Sequence, residues 1–142
     1  MIQTECQKGI LVVDDDPAFV DYVRYILRDL GFLNVLSASG GYEAIEILKT
    51  KGASIDAVVT DLVMSEGTGV ELILYLKKAH PRKVGAIVVT GYFVSFEAKS
   101  PLGDYQVPMF EKPFSRKPED QAKRSSHGLP FGETILDVLS AS

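Results

Sequence analysis

The run Ile10-Leu11-Val12-Val13 is apolar at every position and ends on two carboxylates, Asp14 and Asp15. A strand with one wet face would alternate apolar and polar residues. One without alternation is covered on both faces, as in a parallel sheet between helices. Shorter runs without alternation return within Ile55 to Thr60, at Ala57-Val58-Val59 and closed by Asp61, and within Ala86-Ile87-Val88-Val89-Thr90. Weaker runs lie at Asn34 to Ser39 and at Val107 to Glu111.

Segments of helical period separate these runs. Asp16 reads as an N-cap with Pro17 at the first helical position. Val20, Val23, Ile26, Leu27 and Leu30 then recur at helical spacing until Gly31. A second helix spans Gly41 to Lys51, carrying Ala44, Ile45, Ile47 and Leu48. A third follows the turn Gly67-Thr68-Gly69, runs through Val70, Ile73, Leu74, Leu76 and Lys77, and stops before Pro81. Strict alternation of strand and helix predicts an α/β fold with a doubly wound, five-stranded parallel sheet. Pro101 and Gly103 predict an irregular fourth helix between strands four and five. Residues 115–131 are polar, with Ala122 the only apolar side chain of note up to Gly128, and predict a loop. The last helix is thereby displaced to 132–142, where Ile135, Leu136, Val138 and Leu139 supply its apolar face. The chain of 142 residues reads as one domain over 9–142 behind a flexible tail, 1–8.

The formal charge of -4 argues against nonspecific nucleic-acid binding, and no DNA-reading module is legible, so direct DNA binding is not expected. No apolar stretch is long enough to span a membrane, and the start of the chain carries no signal pattern. The single Cys6 can form no internal disulfide, which suits the cytoplasm. His80 and His127 have no ligand-spaced partners. The basic run Arg116, Lys117, Lys123, Arg124 reads as a solvated loop, with docking to an acidic partner the lesser alternative. Gly67-Thr68-Gly69 is a turn, since no Gly-Lys-Ser/Thr follows it.

In a doubly wound sheet, groups at the carboxyl ends of adjacent strands converge. Asp14, Asp15 and Asp61 would then share a site. Two bare carboxylates about 5 Å apart repel by ~3 kcal/mol at an effective dielectric near 20. A hard divalent cation, Mg²⁺ above all, relieves this. Lys112, in Phe110-Glu111-Lys112-Pro113-Phe114, adds a positive charge, and Thr90 a hydroxyl donor.

On these residues the chain resembles the receiver domain of two-component response regulators. The resemblance rests on Ile10 to Pro17, Val58-Val59-Thr60-Asp61-Leu62-Val63-Met64, Ile87-Val88-Val89-Thr90-Gly91 and Lys112-Pro113-Phe114, with Ala38 to Ala44 as a further match. It implies a flavodoxin-like strand order 2-1-3-4-5. It implies that Asp61 accepts a phosphoryl group from a phosphohistidine on a sensor histidine kinase or phosphotransfer protein. Asp15, Asp61 and the Val63 carbonyl would ligate Mg²⁺, with Asp14 acting through water, and Thr90 and Lys112 would hold the phosphoryl oxygens. Output would be a changed protein-contact surface around Gly91 to Asp104, the fifth strand and the tail, with a homodimer allowed. Such a chain assists its own phosphorylation and is no turnover enzyme.

Three positions depart from the family pattern. Ser65 stands where proline is usual, Gly91 where a small alanine or serine is usual, and Met109 where the family has an aromatic switch. Val63 and Tyr92 flank the site and neither orients water, which predicts a long-lived phosphoryl state shielded by Tyr92. Two alternatives remain: a degenerate receiver serving as an unphosphorylated interaction module, and a Mg²⁺-dependent phosphatase. The second is disfavoured, since Val63 sits where its acid/base aspartate would be.

Overall fold

The computed structural model describes residues 7–91 and 107–140. The expected irregular fourth helix, Tyr92 and most of the proposed output segment lie outside them. Five strands form one parallel sheet in the order β2-β1-β3-β4-β5: β1 Gly9–Val13, β2 Asn34–Ala38, β3 Ala57–Thr60, β4 Gly85–Thr90 and β5 Met109–Glu111. The helices are α1 Pro17–Asp29, α2 Gly41–Lys51, α3 Gly69–Lys78, α4 Pro118–Lys123 and α5 Phe131–Ser140, with a 3-10 turn at Gly52–Ser54. The sequence-based order and class are those observed.

Alternation along each strand divides the core into two layers. Leu11, Val13, Val58, Ala86 and Val88 face α2 and α3, with Ala44, Leu48, Leu72, Ile73 and Leu76 opposite them. Ile10, Val12, Ala57, Val59, Ile87, Val89 and Phe110 face α1 and α5, meeting Val23, Ile26, Leu27, Phe131, Ile135 and Leu139. The run Ile10 to Val13 is at most 1% exposed, because both faces are covered. Met109 packs into the first layer and Phe110 into the second, the opposition that strand alternation predicts.

Asp16 is the α1 N-cap, its carboxylate accepting from the Ala18 amide at 3.1 Å. Gly31, at φ 101°, takes the left-handed conformation that ends the helix. Thr68 and Glu71 form a capping box on α3.

The structure corrects the expected polar loop at 115–131. Pro118–Lys123 is helical. Proline opens it, Glu119 and Asp120 lie in its first turn and Lys123 in its last, all favourable to the helix dipole. Its anchor is polar: Gln121, 4% exposed, donates to the Ser115 carbonyl and accepts from the Phe131 amide, both at 2.9 Å. Beyond it, Ser125 bridges antiparallel to Phe110 along the outer edge of β5. The third strand is also shorter than expected, because Ile55 closes the 3-10 turn before it.

Candidate phosphoacceptor site

β1, β3 and β4 run parallel with Val13 beside Thr60 and Thr60 beside Val88, so their carboxyl ends lie together. Asp14 and Asp61 prolong the ladder past the strands: the Asp14 amide donates to the Ala38 carbonyl at 3.2 Å, and the Asp61 amide to the Val13 carbonyl at 3.1 Å. Lys112 arrives from β5, its amide donating to the Thr90 carbonyl at 3.0 Å.

The Lys112 ammonium bridges the two acids, 2.9 Å from Asp14 Oδ2 and 3.1 Å from Asp61 Oδ2. Each second oxygen is held by backbone. Asp14 Oδ1 accepts from the Asp16 amide at 2.9 Å. Asp61 Oδ1 accepts from Leu62 at 2.7 Å and from Val63 at 3.4 Å. The Phe19 ring lies 4.2 Å from Lys112 Nζ, a cation–π contact on the ammonium's flank. Thr90, at the end of β4, is fully buried.

Asp15 is exposed, its Oδ2 accepting from the Ser65 amide at 3.1 Å. Ser65, where the family usually has proline, supplies an N–H that proline lacks. Val63 is 48% exposed. The structure thus joins Asp14, Asp61 and Lys112 directly, with Thr90 behind and Asp15 and Val63 at the rim. Asp16 belongs to the helix cap. Phe19, the Ser65 amide and Gly69 had no sequence signal. Gly69 is required because a Cβ there would overlap the Asp61 carbonyl oxygen.

Burial raises the Asp14 pKa above its usual value, although the hydrogen bond and charge of Lys112 act to lower it. Burial would pull Lys112 down, but its hydrogen bond to Asp14 and the charges of Asp61 and Asp14 outweigh it, and its pKa stands above the ordinary lysine value. The two partners differ: pairing favours the charged form of Lys112, whereas burial outweighs pairing at Asp14, which is the more deeply buried partner and shares its one ammonium with Asp61. A further cation would be welcome here. Among the described residues, no three acidic, imidazole or thiol side chains already converge as a metal cage. The donors are nonetheless the hard oxygens Mg²⁺ prefers, and Mg²⁺ keeps several waters and needs few carboxylates.

A doubly wound fold with two acids and a lysine in contact at its strand ends defines the class: an α/β protein with a charged cluster at the carboxyl edge of its sheet. Residues 10–119 match the model of the response regulator receiver domain, and the chain belongs to that family, the receiver modules of two-component signalling. It is 37% identical over 108 residues, 76% of its length, to the sensor kinase CckA of Brucella abortus, of which it spans 11%. Over 92 residues, 64% of the chain and 68% of the relative, it is 36% identical to an uncharacterized 14.6 kDa protein of Leptolyngbya boryana. A response regulator receiver protein from Sinorhizobium medicae superposes with a TM-score of 0.70 at 27% identity, covering 94% of this chain and 95% of that one. No described helix is long and apolar enough to cross a membrane.

Proposed function

We propose that the chain is a phosphoacceptor switch of a two-component phosphorelay, with Asp61 the acceptor, a phosphohistidine of a sensor kinase or phosphotransfer protein the donor, and a protein-contact surface the output. The observation that carries this is the bridging of Asp14 and Asp61 by Lys112 at 2.9 and 3.1 Å. Asp61 attacks phosphorus, and the P–N bond of the donor breaks with its electron pair left on the imidazole. Such a transfer needs positioning and charge neutralisation more than proton chemistry. The Leu62 amide fixes the Asp61 carboxylate, and Lys112 meets the incoming phosphoryl oxygens. Thr90 supplies a hydroxyl to the same group and would draw its loop inward. Asp15, Asp61 and the Val63 carbonyl would hold Mg²⁺, with Asp14 acting through water. When bound, the ion neutralises charge on the transferred group. The phosphoryl group adds about one unit of negative charge, which biases a two-state loop. The chain turns over no substrate, and a cytoplasmic setting suits its donor.

A second reading is a degenerate receiver that serves as a constitutive interaction module. Lys112 already bridges the two acids without any ligand, and Met109 brings no polar tip to the switch position. Incubation with Mg²⁺ and acetyl phosphate, followed by intact mass, separates the two. One adduct, lost in Asp61→Asn, supports the acceptor. No adduct supports the module, and continuous release of phosphate from a phosphoester would support a phosphatase.

A further inference from the structure

Lys112 is carried by a three-residue strand at the edge of the sheet. On its inner side β4 holds it. On its outer side the polar segment after Phe114 lies along it. The Glu111 amide donates to the Arg124 carbonyl at 2.8 Å, and the Ser126 amide to the Met109 carbonyl at 2.8 Å. The Met109 amide donates to Ser126 Oγ at 3.0 Å. Arg124 adds its side chain: Nη1 lies 3.3 Å from Glu111 Oε1 and 3.4 Å from the Lys112 carbonyl oxygen. Arg124 is itself fixed as the C-cap of α4, its amide donating to the Gln121 carbonyl at 3.1 Å, and Gln121 ties that helix to Ser115 and Phe131.

We infer that Arg124 is a positioning residue for phosphoryl transfer, acting through Lys112. Its guanidinium and carbonyl grip the backbone of residues 111 and 112 from the side opposite Thr90, so that the Lys112 ammonium is presented to Asp14 and Asp61. A guanidinium suits this because the two N–H groups of its Nη1 reach a carboxylate and a carbonyl together. The basic run is thereby divided. Arg116 pairs with Asp29, Arg124 serves the site, and Lys123 is exposed. The inference rests on the phosphoacceptor reading for its effect on rate, but not for its effect on Lys112.

The test is a double-mutant cycle. Arg124→Ala should slow phosphorylation by acetyl phosphate about fivefold to tenfold, short of the ~100-fold that a 1 Å misplacement can cost. Arg124→Lys should fall between, and Lys123→Ala, which removes the same charge one residue earlier, should match the wild type. In a Lys112→Ala background Arg124→Ala should have no further effect. Equal rates for wild type and Arg124→Ala, or an undiminished loss in the Lys112→Ala background, would overturn the inference. If the wild type accepts no phosphoryl group, the phosphoacceptor reading fails, and NMR order of the Lys112 side chain then decides. Greater mobility of Lys112 in Arg124→Ala but not in Lys123→Ala upholds Arg124, and an unchanged Lys112 sinks it.

Discussion

Lys112 Nζ lies 2.9 Å from Asp14 Oδ2, a carboxylate that is only 2% exposed and stands 98 residues earlier in the chain. The same ammonium touches Asp61, so one cation offsets two acids. Removing it leaves both facing each other at the sheet's end. Truncating one partner of a buried pair is costly because the other charge stays behind. Lys112→Ala is expected to lose roughly 1–3 kcal/mol at neutral pH, since Lys112 itself is partly exposed. Urea unfolding would measure this. Added Mg²⁺ should recover more stability in the variant than in the wild type, by binding only the folded state.

Asp14 contributes with the opposite sign. Burial holds its pKa above the ordinary 3.8, so folding favours the protonated form. That contribution is fully present below the unfolded value and is lost as pH rises through the folded value. At neutral pH the ionised group therefore opposes folding. Asp14→Asn should melt above the wild type at pH 7.5 without Mg²⁺, the gap closing toward pH 4, and should gain less from added Mg²⁺. Thermal melts at both pH values check this, and a lower melting point at pH 7.5 would count against it.

Gly69 couples the α3 turn to the acceptor. An added Cβ would overlap the Asp61 carbonyl oxygen and come within 2.9 Å of Leu62 Cα, backbone that cannot yield as a side chain would. Gly69→Ala should cost roughly 1–3 kcal/mol and slow phosphorylation of Asp61, whereas Gly91→Ala, where a Cβ meets nothing within 4 Å among the described residues, should leave stability within about 0.5 kcal/mol. Denaturant midpoints and acetyl phosphate kinetics on the two variants measure the contrast.

Burial disfavours the charged form of both histidines. Burial lowers His80, helped by the Arg82 charge, and its Nδ1 lies 3.0 Å from the Tyr75 hydroxyl. Burial also lowers His127, partly opposed by Asp137, and its ring stands edge-on to Phe110. A depressed histidine pKa contributes stability above the unfolded value of 6.5 that is lost as pH falls through 6.5 toward the folded value. The melting temperature should thus drop between pH 7.5 and 5, and the drop should shrink in His80→Gln and in His127→Gln. A slope unchanged in both variants would show that other groups set it.

Much of the site was legible because each of its residues closes a strand. Asp14 ends an uninterrupted apolar run, Asp61 follows Ala57-Val58-Val59-Thr60, and Lys112 follows a three-residue strand and precedes a proline. Asp16 separated from its neighbours because Pro17 marks it as a cap. What escaped the sequence depends on contacts that periodicity does not encode. Asp15 turns to the amide of Ser65, 50 residues away. α4 hides its anchor in Gln121, a polar residue that no apolar pattern reveals. The grip of Arg124 on Lys112 needs the outer edge of β5, whose neighbour is set by a turn at Ser125 and by Gly128 at φ 78°.

The chemical location of the transferred group tests Asp61 as acceptor most directly. The chain is phosphorylated by a phosphohistidine donor with Mg²⁺, reduced with borohydride, which converts an aspartyl phosphate to homoserine, and mapped by peptide mass spectrometry. Homoserine is expected at position 61 alone, dependent on Mg²⁺ and strongly reduced in Lys112→Ala. Reduction at another residue, or no modified residue under conditions where the donor loses its phosphoryl group to a known receiver, would contradict it.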